Sequence, residues 1–517
     1  MFKETRSFIA YLNEKLHTPT WLFVLLTIVL LLRIPSFFEP YSYGDEMIYL
    51  TLGEAIRRGI PLYSGVHDNK PPLLYVTAAI AGSLFWFKAI LAVWHLITVF
   101  IFWKLSEVLF PAGKEVPEKL RSRNKKAQVI STAIFALLTT LPALEGNIAN
   151  AELFMIGPTI LAFLLLLTRK LTFRNLFFSG VLFSVSTLYK VPAAFDVPAI
   201  VFLWLATHKF NLKNLRLMIK KSFILALGFS APIAITLIWY FLRGAFGEYI
   251  VAAYLQNFGY LSSWRPDDVQ KSFLVKNGPL LMRAAVVSFG LLILYWKRKR
   301  LSKEYIFASA WLLLSLFAVT LSERPYPHYL IQSAAPLSLL LAMLFIFNNI
   351  EQVLSLIPLS IAFFVPYYYH FWHYPTLPYY SRFIKLATRQ MDKNEYFSTF
   401  GGQVSRNYKI AEYIVSSTNK SDKVFIWGDS SPIYALSRRF PPMKYVADYH
   451  IKDFSSHEKV LYSLNSDMPT IIVVLPGSEV FPELDEFLRK NYGGMQTIND
   501  ATIWRLLSPG VRALLSF

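Results

Sequence analysis

Apolar runs close to the length of a bilayer crossing recur through the first 370 residues, separated by short polar gaps. A helix needs about 20 apolar residues to cross the hydrocarbon core, and runs of that kind begin near residues 20, 88, 127, 152, 175, 191, 222, 277, 304, 328 and 352. The pattern predicts a polytopic α-helical membrane protein of about eleven spans. Residues 71–87, PPLLYVTAAIAGSLFWF, are apolar but short and open on two prolines, which predicts a helix lying along the interface rather than through it.

Beyond about residue 370 hydropathy falls, and amphipathic stretches alternate with short β-rich runs, KVFIW at 423–427 and TIIVVL at 470–475. This predicts a small α/β domain over residues 371–517, carried by a membrane module over residues 1–370 whose first outer loop, 39–87, holds interfacial helices. GDSSPIYAL, residues 428–436, has the place of a loop and helix start after the first strand, but lacks the glycine spacing of a dinucleotide fingerprint.

Composition changes the picture mainly through charge. Hydrophobic residues make up 54% of the chain, and the net charge is +19. The basic clusters KLRSRNKK, KNLRLMIKK and KRKR each fill a short gap between apolar runs, as cytoplasmic loops do, so the charge argues for a membrane and against nucleic acid. The run from Trp21 has no small-residue cleavage site and reads as a retained first span. The N-terminus is then cytoplasmic, the C-terminal domain extracytoplasmic, and the chain a multi-pass protein of the cell membrane. Residues 39–71, 143–152, 189–196 and 322–329 share the outer face. The loop 243–276 lies there too and is expected to cover the membrane surface. Cysteine is absent, which excludes disulfides, thiolate metal sites and a cysteine nucleophile.

The chemistry is concentrated in YSYGDEMIYLTLGEAIRRGIPLYSGVHDNKPPLLY, residues 41–75, directly after the first span. Asp45 and Glu46 stand at the membrane boundary without a basic neighbour in sequence, and unpaired acids near lipid are costly enough to suggest function. A positioned carboxylate can accept the proton of an attacking hydroxyl. Asn150 and Glu152 follow the third span, where they could orient a substrate or cap the next helix. Lys190 lies in a tight outer turn, suited to snorkelling or to a donor contact. RPYPHY brings Arg324, His328 and Tyr329 to the outer end of the tenth span, and arginine and histidine both donate well to phosphate.

The DE pair after the first span, the G-x-P-L-Y segment ending at Tyr63 and then DNKPPLLY from Asp68, in that order and spacing, resemble the GT-C glycosyltransferases, the superfamily of protein O-mannosyltransferases and aminoarabinose transferases. NAELF, STLYKVPA and RPYPHYLIQSAAPLSLL extend the resemblance over residues 1 to about 370. It implies that Asp45 is the catalytic carboxylate with Glu46 as its understudy. Lys70, with Arg324, His328 and Lys190, would bind the donor phosphate, and Tyr63, His67, Asp68, Asn150, Glu152 and Tyr329 would line the substrate cavity. It implies a polyprenyl-phosphate sugar as co-substrate, an acceptor hydroxyl on protein, lipid or glycan, and inversion at the sugar. No H-E-x-x-H, cysteine pair or D-x-D run occurs, and His370 and His373 sit in an aromatic membrane anchor, so neither metal nor cofactor is expected. The alternatives are a lipid-diphosphate oligosaccharyltransferase or ligase, whose W-W-D signature is absent, and a transporter or flippase, which paired repeats would betray.

Overall fold

The computed structural model describes residues 18–259, 272–429 and 431–515. Part of the predicted surface-covering loop, 260–271, lies outside the described residues. The chain divides into two compact units, one formed by residues 1–37, 88–239 and 256–377, the other by 38–87, 240–255 and 378–517. The first outer loop and the C-terminal segment therefore belong to one unit, although most of the helical unit lies between them in sequence.

The first unit is helical. Among the described residues eight helices are long and apolar enough to cross a membrane: Thr20–Phe38, Leu84–Leu109, Ala151–Thr168, Leu212–Leu242, Asn277–Lys297, Lys303–Thr320, Pro327–Ile346 and Ile350–Tyr368. Helices also form at the other three predicted starts. Glu118–Leu138 opens with a charged turn, Phe173–Tyr189 has 17 residues, and Pro198–Thr207 follows a 3-10 turn at Val191–Asp196. Over its apolar 18-residue stretch Lys303–Thr320 is 83% buried, while the corresponding stretches of Leu212–Leu242 and Asn277–Lys297 are 17% and 11% buried. That contrast makes the first a central helix and leaves the other two apolar faces for lipid. Phe163, Phe307 and Trp311 pack ring against ring at the centre.

In the second unit, the predicted strands β1 (Val424–Trp427) and β2 (Ile471–Val474) pair in parallel, Val424 opposite Ile471. A hairpin not anticipated from the sequence, β3 (Tyr492–Ile498) and β4 (Ala501–Leu506), completes a sheet of order β1-β2-β4-β3. Its turn residues Asn499 and Asp500 have φ of 45° and 65°, the left-handed geometry that a two-residue hairpin turn uses and that Asn and Asp tolerate. Phe425, Trp427, Ile472, Phe481 and Leu484 build the core beside it.

The same unit contains the helix Gly44–Arg57 and the short helix Leu73–Ala81 from the segment read as interfacial. At nine residues the second is too short to cross a bilayer. The two helices meet at Gly53, where an added Cβ would lie 2.6 Å from the Ala79 nitrogen. Gly53→Val is expected to force them apart, lowering thermal stability in detergent by about 1–3 kcal/mol. An unchanged melting temperature would show that the contact is dispensable.

Candidate functional site

The helix Gly44–Arg57 places Asp45 and Glu46 in its first turn, where the macrodipole favours negative charge. One residue of helix is about 100° of rotation, and the two acids separate accordingly. Asp45 keeps 32% of its side chain exposed. Glu46 is buried. One turn on from Asp45, Tyr49 donates its hydroxyl to Asp45 Oδ2 at 2.8 Å. Burial, then the charges of Asp45 and Asp68, push the Tyr49 hydroxyl well above the ordinary tyrosine range, so it stays protonated and acts as a donor.

The turn leading into Pro71 brings a cation to this acid. Lys70 Nζ lies 3.8 Å from Asp45 Oδ2 and 3.7 Å from Asp68 Oδ2, and 5.0 Å from the centre of the Tyr49 ring. Tyr63 and Tyr75 fix its backbone. The Tyr63 hydroxyl donates to the Lys70 carbonyl at 2.9 Å, and the Lys70 amide donates to the Tyr75 hydroxyl at 3.1 Å. Tyr63 is fully buried at φ 76°, a region bulky residues rarely adopt, and its ring packs against Tyr240 and Tyr249. This packing and its bond to the Lys70 carbonyl fix the turn.

Asp68 is 1% exposed and accepts from the Asn69 amide on Oδ1 and the Tyr75 hydroxyl on Oδ2, each at 2.8 Å. Burial alone would raise its pKa, but Lys70 and then His450 outweigh burial and hold the carboxyl well below the usual range. His450 comes from the C-terminal segment, with Nε2 3.3 Å from Asp68 Oδ1. His67 is buried against the rings of Tyr445, His450 and Phe454, and its amide donates to the Lys444 carbonyl at 2.9 Å.

The GDSS loop also reaches this unit's acids. Ser431 donates to the Gly44 carbonyl at 3.0 Å. Partial burial and the Asp448 carboxylate raise the Asp429 pKa, Lys452 opposes them, and Asp45 adds a smaller push upward.

The remaining nominated residues lie in the helical unit. Asn150 occupies the N-cap position of Ala151–Thr168 but makes no side-chain cap bond. Both its amide atoms are buried without a hydrogen-bond partner among the described residues, so the capping alternative does not hold. Glu152 pairs with Lys190, whose ammonium sits 3.6 Å over the Tyr329 ring. His328 Nδ1 pairs with Glu145, and its Nε2 lies 3.9 Å from Glu152. The result is an alternating chain, Glu145, His328, Glu152, Lys190. Burial and then the Glu145 charge push the Tyr374 hydroxyl up to about 12. Arg324 lies on the loop before Pro327–Ser333, its amide donating to Ser322 Oγ.

Sequence reasoning missed His450, Glu145, Tyr49 and Tyr75, and nominated Tyr63 for the substrate cavity. Tyr49 alone carried a signal, since four-residue spacing from Asp45 puts it on the same helix face.

Among solved structures, this chain shares the fold of ArnT. ArnT from Cupriavidus metallidurans bound to undecaprenyl phosphate superposes with a TM-score of 0.53 over 95% of this chain and 98% of that one, at 12% identity. The apo form of that protein gives 0.50 over 94% and 97%, also at 12% identity. The oligosaccharyltransferase AglB from Archaeoglobus fulgidus, with an inhibitory peptide and a dolichol-phosphate, gives 0.44 at 12% identity over 88% and 69%. Residues 405–505 match the C-terminal domain of the putative competence-induced protein Ccs4, a segment that contains His450 and most of the sheet. No curated protein matches the chain.

Proposed function

We propose that this protein is a membrane glycosyltransferase that moves a sugar from a polyprenyl-phosphate donor to an acceptor hydroxyl at the extracytoplasmic face. The observation that carries the reading is the Asp45–Lys70 pair, a partly exposed carboxylate at a helix N-terminus with an ammonium 3.8 Å away. That is the pair of groups a transfer to a hydroxyl needs: a base for the acceptor proton and a cation for the phosphate that leaves. The fold is shared with a protein whose structure holds undecaprenyl phosphate.

In this reading the acceptor oxygen attacks the anomeric carbon, its proton passes to Asp45, and the bond to the lipid phosphate breaks with the charge moving onto oxygens that Lys70 faces. A single displacement inverts the anomeric centre. Tyr49 orients Asp45 through the carboxylate oxygen it already binds. Glu46, being buried, supports the helix start rather than exchanging the proton.

Lys190, Arg324 and His328 are proposed to assist donor binding, although Lys190 and His328 already have carboxylate partners. Asn150 is the best-suited group of that unit for a ligand hydroxyl, because its buried amide has bonds left to make. No metal is assigned a step, since a single phosphate leaving group needs less charge neutralisation than a diphosphate. A cytoplasmic N-terminus and an extracytoplasmic C-terminal domain follow from the basic loops.

The test is transfer of radiolabelled sugar from synthetic polyprenyl-phosphate donors by purified protein in lipid, run with and without EDTA. Turnover that survives EDTA is expected. Turnover only from diphosphate donors, or flux of lipid across the bilayer without transfer, would replace this reading.

A further inference from the structure

We infer that His450, through Asp68, is a positioning residue for Lys70, which makes the C-terminal sheet domain part of the donor-phosphate machinery. The inference rests on the proposed role of Lys70 and adds a specific control over it.

Asp68 stands between two groups that compete for it. Its Oδ2 faces the Lys70 ammonium at 3.7 Å and receives the Tyr75 hydroxyl, while its Oδ1 receives the Asn69 amide and faces His450 Nε2 at 3.3 Å. Neither ring nitrogen of His450 makes a hydrogen bond among the described residues, so Nε2 meets Oδ1 by proximity at 3.3 Å, and a buried carboxylate with a second polar group at Oδ1 draws less strongly on the cation at Oδ2. Lys70 then keeps its ammonium shared between Asp68 and the Asp45 side, with 18% of its side chain open, and can turn toward a phosphate. Without His450, Asp68 would claim Lys70 as its main compensation and compete with the donor for it.

The histidine is held for this task. It is fully buried, sits on the short helix Asp448–Phe454, and packs edge to face on His67 at 5.5 Å and tilted on Tyr449 at 4.3 Å. The Lys444 carbonyl takes the His67 amide at 2.9 Å, so residues 444–450 hold the HDNK turn both through its backbone and at Asp68. A residue serving only to fill the core would not need a ring nitrogen facing the carboxylate that neighbours Lys70.

The experiment measures donor KM and kcat for full-length protein in lipid, with His450→Leu, Asp68→Asn, the double variant, and His457→Leu as a control in the same domain. His450→Leu is expected to raise donor KM about tenfold with kcat within about twofold, the scale of one lost polar contact to a charged group. In the Asp68→Asn background it is expected to add nothing, because it acts through Asp68. An unchanged KM, or an effect that simply adds to that of Asp68→Asn, overturns the inference. If His450→Leu does not fold, His450→Gln and His450→Asn decide: the glutamine amide reaches the Nε2 position and should keep KM, the asparagine amide should not, and equal values overturn the inference. Wild-type turnover with an indifferent His450 refutes this inference alone; absence of any turnover by the wild type refutes the proposed function and this inference with it.

Discussion

Asp45→Asn abolishes sugar transfer while leaving donor binding intact. Asparagine keeps the size of the side chain and can still accept from Tyr49, whose hydroxyl stands 2.8 Å from Oδ2, so the helix start has no reason to move. What disappears is the charge able to take the acceptor proton, and general-base catalysis contributes about 10²–10⁴-fold. A fall in kcat of about that size with donor KM within severalfold is the expected result. Retention of full activity would remove Asp45 from the mechanism, and Asp429, whose pKa is raised by partial burial and by Asp448, would be the next acid to test.

Lys70→Met produces the second large effect, and it is of the opposite kind. Methionine preserves the apolar stem but withdraws the ammonium, so both donor KM and kcat suffer, with kcat/KM falling by about 10²–10³, the scale of one lost oxyanion contact. Asp68 is left buried with His450 as its remaining counter-group. Breaking a buried ion pair costs about 3–5 kcal/mol, and the partial exposure of Lys70 puts this case at the low end. The sign with pH is defined. Asp68 is more acidic folded than unfolded, so its pair stabilises the protein above the ordinary carboxylate range and ceases to do so as pH falls through the lowered folded value. The stability gap between wild type and variant should therefore be widest near neutral pH and narrow in acid. A gap independent of pH would show that Asp68 and Lys70 are not coupled. Melting curves at two pH values and donor kinetics on one preparation measure both consequences.

The sequence made the membrane module and the two strands of the small domain legible, because each rests on a local period: long apolar runs for the helices, short β-branched runs for VFIW and IIVV. It was less informative where a helix is short or charged at its start, as in Glu118–Leu138 and Val191–Thr207, since length and composition then disagree with packing. In the candidate site, Asp45 and Lys70 are 25 residues apart and the structure brings them within 3.8 Å. Their association followed from motif resemblance rather than from any pattern in the chain. Asp68, expected in the substrate cavity, lies buried between Lys70 and His450. That link was invisible because nothing local connects position 68 to position 450, and the aromatic cage of Tyr445, His450 and Phe454 around His67 is a tertiary outcome. The Glu145–His328 pair was hidden in the same way, its partners being 183 residues apart. Local signals predict elements; charge partners across the chain are chosen by packing.

The bond from Ser431 to Gly44 spans 387 positions, and that separation has a consequence in time. A ribosome adding about 5–20 residues per second finishes the first outer loop roughly 20 to 80 seconds before the chain that clasps it exists. During that interval Asp68 and His67 must wait without Lys444 and His450, in a segment already delivered beside the bilayer. The tyrosine struts at positions 49, 63 and 75 are local to the waiting segment and can hold its turn in the meantime. The segment around residue 450, made later, then completes the acid–lysine network, so a chain stalled or cut before residue 450 would carry the proposed catalytic acid but not the group that sets its neighbour.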